Sequence, residues 1–168
     1  FPSNSVLETI GQYAFQGTAL TSITLPSTVK LIDYMAFAFC SELDTITFPS
    51  RSVLETIGKY AFLFSALTAI TVPSTVKKID QYAFNWCNSL TTVTFPSNSV
   101  LETISEYSFS DCNSLTTVTF PSDSVLETIS EYSFRSTALT AITVPSTVKL
   151  IDEYAFSNCN RLTTVTFS

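Results

Sequence analysis

Apolar residues fall along the chain in fixed columns separated by polar positions. An Ile stands at 10, 32, 57, 79, 104, 129 and 151, and a Phe follows five residues later at 15, 37, 62, 84, 109, 134 and 156. A Leu then recurs at 20, 43, 67, 90, 115, 139 and 162, opening segments such as Leu90-Thr-Thr-Val-Thr-Phe95. Prolines at 2, 26, 49, 73, 96, 121 and 145, each in the context apolar-Pro-Ser, close every segment. Self-similarity at this period is the signature of a solenoid, in which one repeat cannot bury its own apolar face and stacking supplies the missing layer.

Each column predicts a local structure. The Leu segment alternates apolar and polar residues with period two, which predicts a short strand with one buried face. Strands recurring every 22 to 25 residues are too far apart for hairpins, so successive ones pair in parallel. The residue after each Ile is Gly11, Asp33, Gly58, Asp80, Ser105, Ser130 or Asp152, all of them residue types that cap helix N-termini. A short helical turn is therefore expected next, with its Phe pointing into the core. Each such Phe is worth about 1.5–3 kcal/mol when fully buried.

The repeats come in two lengths. Phe1, Phe48, Phe95 and Phe120 head the longer linkers at spacings of 47, 47 and 25 residues, which points to a two-rung unit of 47 residues with one extra rung near 101–125. Two positions before each Ile stand Glu8, Lys30, Glu55, Lys77, Glu102, Glu127 and Lys149. The sign alternates except at the extra rung, so neighbours about 4.8 Å apart attract across the stack. Exposed pairs contribute only ~0–1 kcal/mol each and act as register keys more than as glue.

Composition removes several function classes. The 168 residues carry a net charge of −6 and only 8 Lys and Arg; nucleic acid and anionic membrane surfaces need clustered basic residues, so neither is an expected partner. Apolar stretches such as Tyr34 to Cys40 fall far short of the roughly 20 residues of a spanning helix, so no membrane insertion is expected in this segment. Histidine is absent, which removes His-based triads and His metal ligands, and no nucleophile–base pair can be named. A non-enzymatic chain without cofactors is the expectation. Because Phe1-Pro2 lies in mid-repeat, residues 1–168 are expected to form one solenoid domain cut from a longer array.

The run Ile-x-x-Tyr-Ala-Phe-x-x-Cys-x-x-Leu-Thr-x-Val-Thr-Phe-Pro-Ser, complete at Ile79 to Ser97, resembles the BspA-type (Treponema pallidum-type) leucine-rich repeats, and the likeness extends over essentially the whole chain. It departs from the pattern in repeats 1, 3 and 6, where Thr18, Ser65 or Thr137 fills the Cys slot and one residue is missing before the Leu. The resemblance implies a β-rich leucine-rich-repeat solenoid of seven rungs, about 30 Å long at 4.8 Å per rung, with parallel strands on a concave face and helical turns on a convex one. It further implies an extracellular or cell-surface location and adhesion to a protein or glycan ligand of host matrix or cell surface. A structural or self-assembling array is the competing role, through end-to-end association of open strand edges.

Four sets of residues are candidates for more than scaffold. The column Thr24, Thr47, Thr71, Thr94, Thr119, Thr143 and Thr166 lines the exposed side of the strands, beside Ser22, Thr45, Ala69, Thr92, Thr117, Ala141 and Thr164; it is either a hydrogen-bonding surface or simply β-branched strand filler. The second residue after each core Phe is Gly17, Phe39, Phe64, Trp86, Asp111, Ser136 or Asn158. Three consecutive rungs place large aromatics there, with Leu63 adjacent, and such a patch marks an interface unless a loop or neighbouring domain covers it. Cys40, Cys87, Cys112 and Cys159 share one column without the paired spacing of a metal site. They read as buried filler, with Cys87 and Cys112 alone close enough for a disulfide. Glu102, Glu106, Glu127 and Glu131 crowd two rungs, either as a solvated acidic face or as a weak cation or acid/base site.

Overall fold

The computed structural model describes residue 2 and residues 4–168; Phe1 of the linker column lies outside them. Among the described residues, fourteen short strands follow one another: β1 (Thr9–Ile10), β2 (Ser22–Thr24), β3 (Leu31–Ile32), β4 (Thr45–Thr47), β5 (Thr56–Ile57), β6 (Ala69–Thr71) and β7 (Lys78–Ile79). They continue as β8 (Thr92–Thr94), β9 (Thr103–Ile104), β10 (Thr117–Thr119), β11 (Thr128–Ile129), β12 (Ala141–Val144), β13 (Leu150–Ile151) and β14 (Thr164–Phe167). Each coil thus contributes two strands, one at the Ile column and one at the Thr column.

All pairing is parallel between successive coils. The odd-numbered strands form one seven-stranded sheet, β1-β3-β5-β7-β9-β11-β13, in which Ile10, Ile32, Ile57, Ile79, Ile104, Ile129 and Ile151 lie in register. The Thr strands were expected from the alternation; the Ile strands, only two residues long, were not. The Thr wall is not continuous. It divides into β2-β4, β6-β8-β10 and β12-β14.

The core is one continuous apolar spine. Phe37, Phe62, Phe84, Phe109 and Phe134 are fully buried, and the column from Phe15 to Phe156 stacks face to face at centroid separations of 5.1–5.4 Å. Ile side chains from Ile10 to Ile129, Leu side chains of the Leu column, and Cys40, Cys87 and Cys112 join the same cluster.

The expected helical turns are not present: the arc from Ile to Cys contains no helix among the described residues. In the second coil, Ala36 N–H donates to Asp33 O (3.2 Å) and Ala38 N–H to Met35 O (3.2 Å), each closing a tight turn. The intervening Met35, Phe37 and Phe39 N–H groups donate to Lys59, Ala61 and Leu63 of the next coil at 3.1, 2.8 and 2.7 Å. A helix needs every N–H for its own carbonyl four residues back, so spending alternate N–H groups on the neighbouring coil rules it out. The capping-type residues serve turns instead: the Asp33, Asp80 and Asp152 carboxylates accept from the very next N–H, of Tyr34, Gln81 and Glu153, at 2.7–2.8 Å.

The 47-residue unit read from spacing is visible in the contacts. Ion pairs join Glu8–Lys30, Glu55–Lys77 and Glu127–Lys149, and a hydroxyl meets a thiol at Thr18–Cys40, Ser65–Cys87 and Thr137–Cys159, 3.1–3.5 Å apart. Every one of these contacts lies inside a unit. The Thr wall breaks between units, at β4/β6 and at β10/β12.

Candidate functional site

The alternating hydrogen bonds of the arc force two positions per coil into the left-handed region. One holds Tyr13, Met35, Tyr60, Tyr82, Tyr107, Tyr132 and Tyr154; the other holds Gly17, Phe39, Phe64, Trp86, Asp111, Ser136 and Asn158, with φ between 51° and 65° throughout. That conformation costs an L-residue with a bulky side chain roughly 1–2 kcal/mol, and Gly, Asn and Asp least. The first column is Tyr in all but one coil and belongs to the scaffold, its rings from Tyr60 to Tyr154 stacked at 4.7–4.9 Å.

The second column behaves differently. Gly17, Asp111 and Asn158 are residue types the backbone accepts readily, and Ser136 is small. Phe39, Phe64 and Trp86 do not suit the backbone, yet they occupy three consecutive coils. Their rings stack at 5.6 Å and 5.5 Å with planes within 14°, and they remain 44%, 43% and 40% exposed. The backbone beneath is fixed, because Phe64 N–H donates to Asn85 O and Trp86 N–H to Ser110 O at 3.1 Å. Leu63, expected beside them at the surface, is instead buried at 8% exposure: successive residues of the arc point in and out, so it supports the ladder from below. The result is a rigid, solvent-facing aromatic edge about three rungs long.

On the Thr wall, Thr24, Thr47, Thr71, Thr119, Thr143 and Thr166 are exposed and Thr94 is half-buried. Thr143 and Thr166 hydroxyls bond each other at 2.9 Å.

The cysteines are free thiols, Cys40, Cys87 and Cys112 buried and Cys159 partly so. Each donates to the carbonyl of the core Phe one coil earlier, Cys87 to Phe62 O and Cys112 to Phe84 O at 3.1 Å. Burial, together with the Cys87 thiol beside it, pushes the Cys112 thiol well above the usual range, so it stays protonated as a donor. Two of the four acidic side chains are engaged by neighbours: Glu106 accepts from Gln81 Nε2 and Glu127 pairs with Lys149 at 2.6 Å. Among the described residues, no three His, Cys, Asp or Glu side chains converge to hold a metal ion, and no helix is long and apolar enough to cross a membrane.

Comparison with known proteins places this architecture. The BspA type leucine rich repeat region matches in six copies, over residues 8–125 and 98–168. Among solved structures, a leucine rich cell surface protein from Faecalibacterium prausnitzii A2-165 is 34% identical with a TM-score of 0.78, over 96% of this chain and 43% of that one. A leucine-rich repeat protein from Eubacterium ventriosum ATCC 27560 is 29% identical with a TM-score of 0.55, over 82% of this chain and 42% of that one. One from Bacteroides ovatus ATCC 8483, at 24% identity and a TM-score of 0.56, shares the fold over 96% of this chain and 59% of its own. The chain therefore spans about half the length of the structures it matches. A search of the curated proteins returns no match.

Proposed function

Because the chain belongs to the BspA-type leucine-rich repeat family, we propose that it is a non-enzymatic adhesion module of a cell surface, gripping a protein of the host matrix through Phe39, Phe64 and Trp86. The family and the cell-surface protein it resembles supply the setting. The observation that carries the contact is the aromatic ladder, half-exposed on three adjacent coils at left-handed positions where the other coils place Gly, Asp, Ser or Asn. The scaffold imposes that backbone on every coil but does not need a bulky aromatic there, and strain accepted without structural need is a signature of use. Flat, stacked aromatics offer large apolar contact with little side-chain entropy to lose, which is why such residues dominate binding hot spots.

The test is a double substitution, Phe64→Asn with Trp86→Asn, chosen because Asn accepts a left-handed backbone. Surface plasmon resonance on immobilised extracellular-matrix proteins should show at least about a tenfold weaker Kd for the variant, the signature of a hot spot. Its melting temperature should stay within a few degrees of the parent. Unchanged affinity, or a parent that binds no matrix protein, overturns the proposal.

A further inference from the structure

Two clefts open on the Thr wall, and they share a set of equivalent lining positions. One is an open depression of about 500 Å³ between β4 and β6; the other, of about 530 Å³, lies open between β10 and β12. Six residues of the second stand 72 positions beyond counterparts in the first, among them Thr119 after Thr47, Phe120 after Phe48, Ala141 after Ala69 and Thr143 after Thr71, while the first also runs on over Pro49, Ser50 and Pro73 and the second reaches back to Thr116, Thr117 and Thr140. The coils behind them explain the coincidence. Ile-to-Ile spacings run 22, 25, 22, 25, 25 and 22 residues, and the wall parts at the two places where a 25-residue coil is followed by a 22-residue one.

At intact junctions the backbone just beyond the strand bridges the coils: Leu25, Val72 and Phe95 N–H donate to Thr47, Thr94 and Thr119 O at 2.9–3.0 Å. Among the described residues, the corresponding N–H groups of Phe48 and Phe120 make no such bond. Both clefts therefore present unspent main-chain donors, Thr hydroxyls that both give and accept, and the C–H surface of a Phe ring. No charged side chain lines either one.

Those features select the occupant. A polypeptide strand slotted between neighbours needs two spacings of about 4.8 Å, or nearly 10 Å, whereas Cα atoms of β4 and β6, and of β10 and β12, still lie within 8 Å. A sulfated or otherwise ionic ligand finds no counter-charge. A neutral pyranose resting over the open cleft, without being slotted between the strands, meets the lining, with hydroxyls that match mixed donors and acceptors and C–H groups that lie on an aromatic face. The clefts are three rungs apart, at least about 14 Å along the wall, so a single linear polymer can reach both and gain from the second engagement without new contacts. We infer that the Thr wall binds an uncharged linear oligosaccharide, with one sugar seated in each of the two clefts. This site is separate from the aromatic ladder and stands whether or not that ladder binds protein.

The test is an amide-resolved NMR titration with maltohexaose, cellohexaose, mannohexaose and laminarihexaose, and with a heparin hexasaccharide and an extended neutral peptide as competitors. At least one neutral hexasaccharide should move the Phe48 and Phe120 amides together to saturation, while those of Leu25 and Phe95 stay in place. The disaccharide of the same sugar should bind about tenfold more weakly, since it cannot span both clefts. Thr47→Val and Thr119→Val should each weaken the hexasaccharide to about the disaccharide's affinity, and Thr103→Val on the Ile wall should leave it unchanged. The inference is overturned if no neutral hexasaccharide binds, if only the heparin fragment or the peptide does, or if shifts spread evenly along the Thr column.

Discussion

The Ile wall and the Thr wall belong to the same coils, contain the same number of strands and obey the same pairing rule, yet one is unbroken and the other is in three pieces. The distinguishing variable is residue count. From Ile to the core Phe every coil uses five residues, whereas from Phe to Leu the count is five in coils 1, 3 and 6 and six in the others. Constant arc length keeps the Ile register and the Phe stack continuous through seven rungs. Variable arc length lets the coils part where a longer one meets a shorter one that no hydroxyl–thiol contact ties to it. A solenoid can thus hold its core on one side and open recognition clefts on the other by inserting or deleting a single residue.

The contrast is broken most severely by attacking the constant side. Phe84 is fully buried and stacked on both Phe62 and Phe109 at 5.1 Å. Phe84→Ala should cost about 3–5 kcal/mol in urea unfolding, the usual loss for a buried Phe. Phe48→Ala, at the half-buried lip of a cleft, should cost less than half as much. Equal losses would mean that the Thr wall carries as much of the fold as the Ile wall does.

A smaller effect of opposite sign sharpens the same point. At the slot filled by Ala36, Ala61 and Ala83, coils 5 and 6 place Ser108 and Ser133, both wholly buried, and neither hydroxyl has a hydrogen-bond partner. A buried, unpaired hydroxyl costs about 1–3 kcal/mol. Since neighbouring coils pack Ala in the same place, Ser108→Ala and Ser133→Ala should each raise stability by about 1 kcal/mol, read as a shifted denaturation midpoint at unchanged slope. A loss instead of a gain would reveal a partner for these hydroxyls.

What was legible in the sequence divides along the same line. The Ile, Phe and Leu columns, parallel pairing, the continuous core and the two-rung unit all follow from spacing, because burial acts on each coil alike. The helical turn was misread because Gly, Asp and Ser after each Ile suit a helix cap and a tight turn equally. What separates the two is the diversion of alternate N–H groups such as those of Phe37 and Phe39 to the next coil, a property of pairs of coils that no single repeat displays. The Ile strands were missed for a related reason: two residues are too few to show a period. Leu63 was placed at the surface because it neighbours exposed aromatics, although adjacent arc residues face opposite ways. The clefts were not read from the sequence: the deletions in repeats 1, 3 and 6 look alike there, and their effect on the wall depends on the coil that precedes them.

The smallest expected effect concerns the ion pairs. Glu55 and Lys77 approach to 2.9 Å, but both side chains are about half exposed or more, so water screens them and Lys77→Ala should cost no more than about 1 kcal/mol. Independent evidence for a minor role comes from the Ile wall itself. Glu–Lys pairs stand at only three of its six junctions, yet Ile32 with Ile57, Ile79 with Ile104 and Ile104 with Ile129 stay in register without one. Continuity therefore does not depend on charge, and whatever Lys77→Ala costs should shrink further in concentrated salt as the pair is screened. A loss well above 1 kcal/mol that survives high salt would show that the charges hold the coils together, and arc length would no longer suffice to explain why one wall is whole and the other divided.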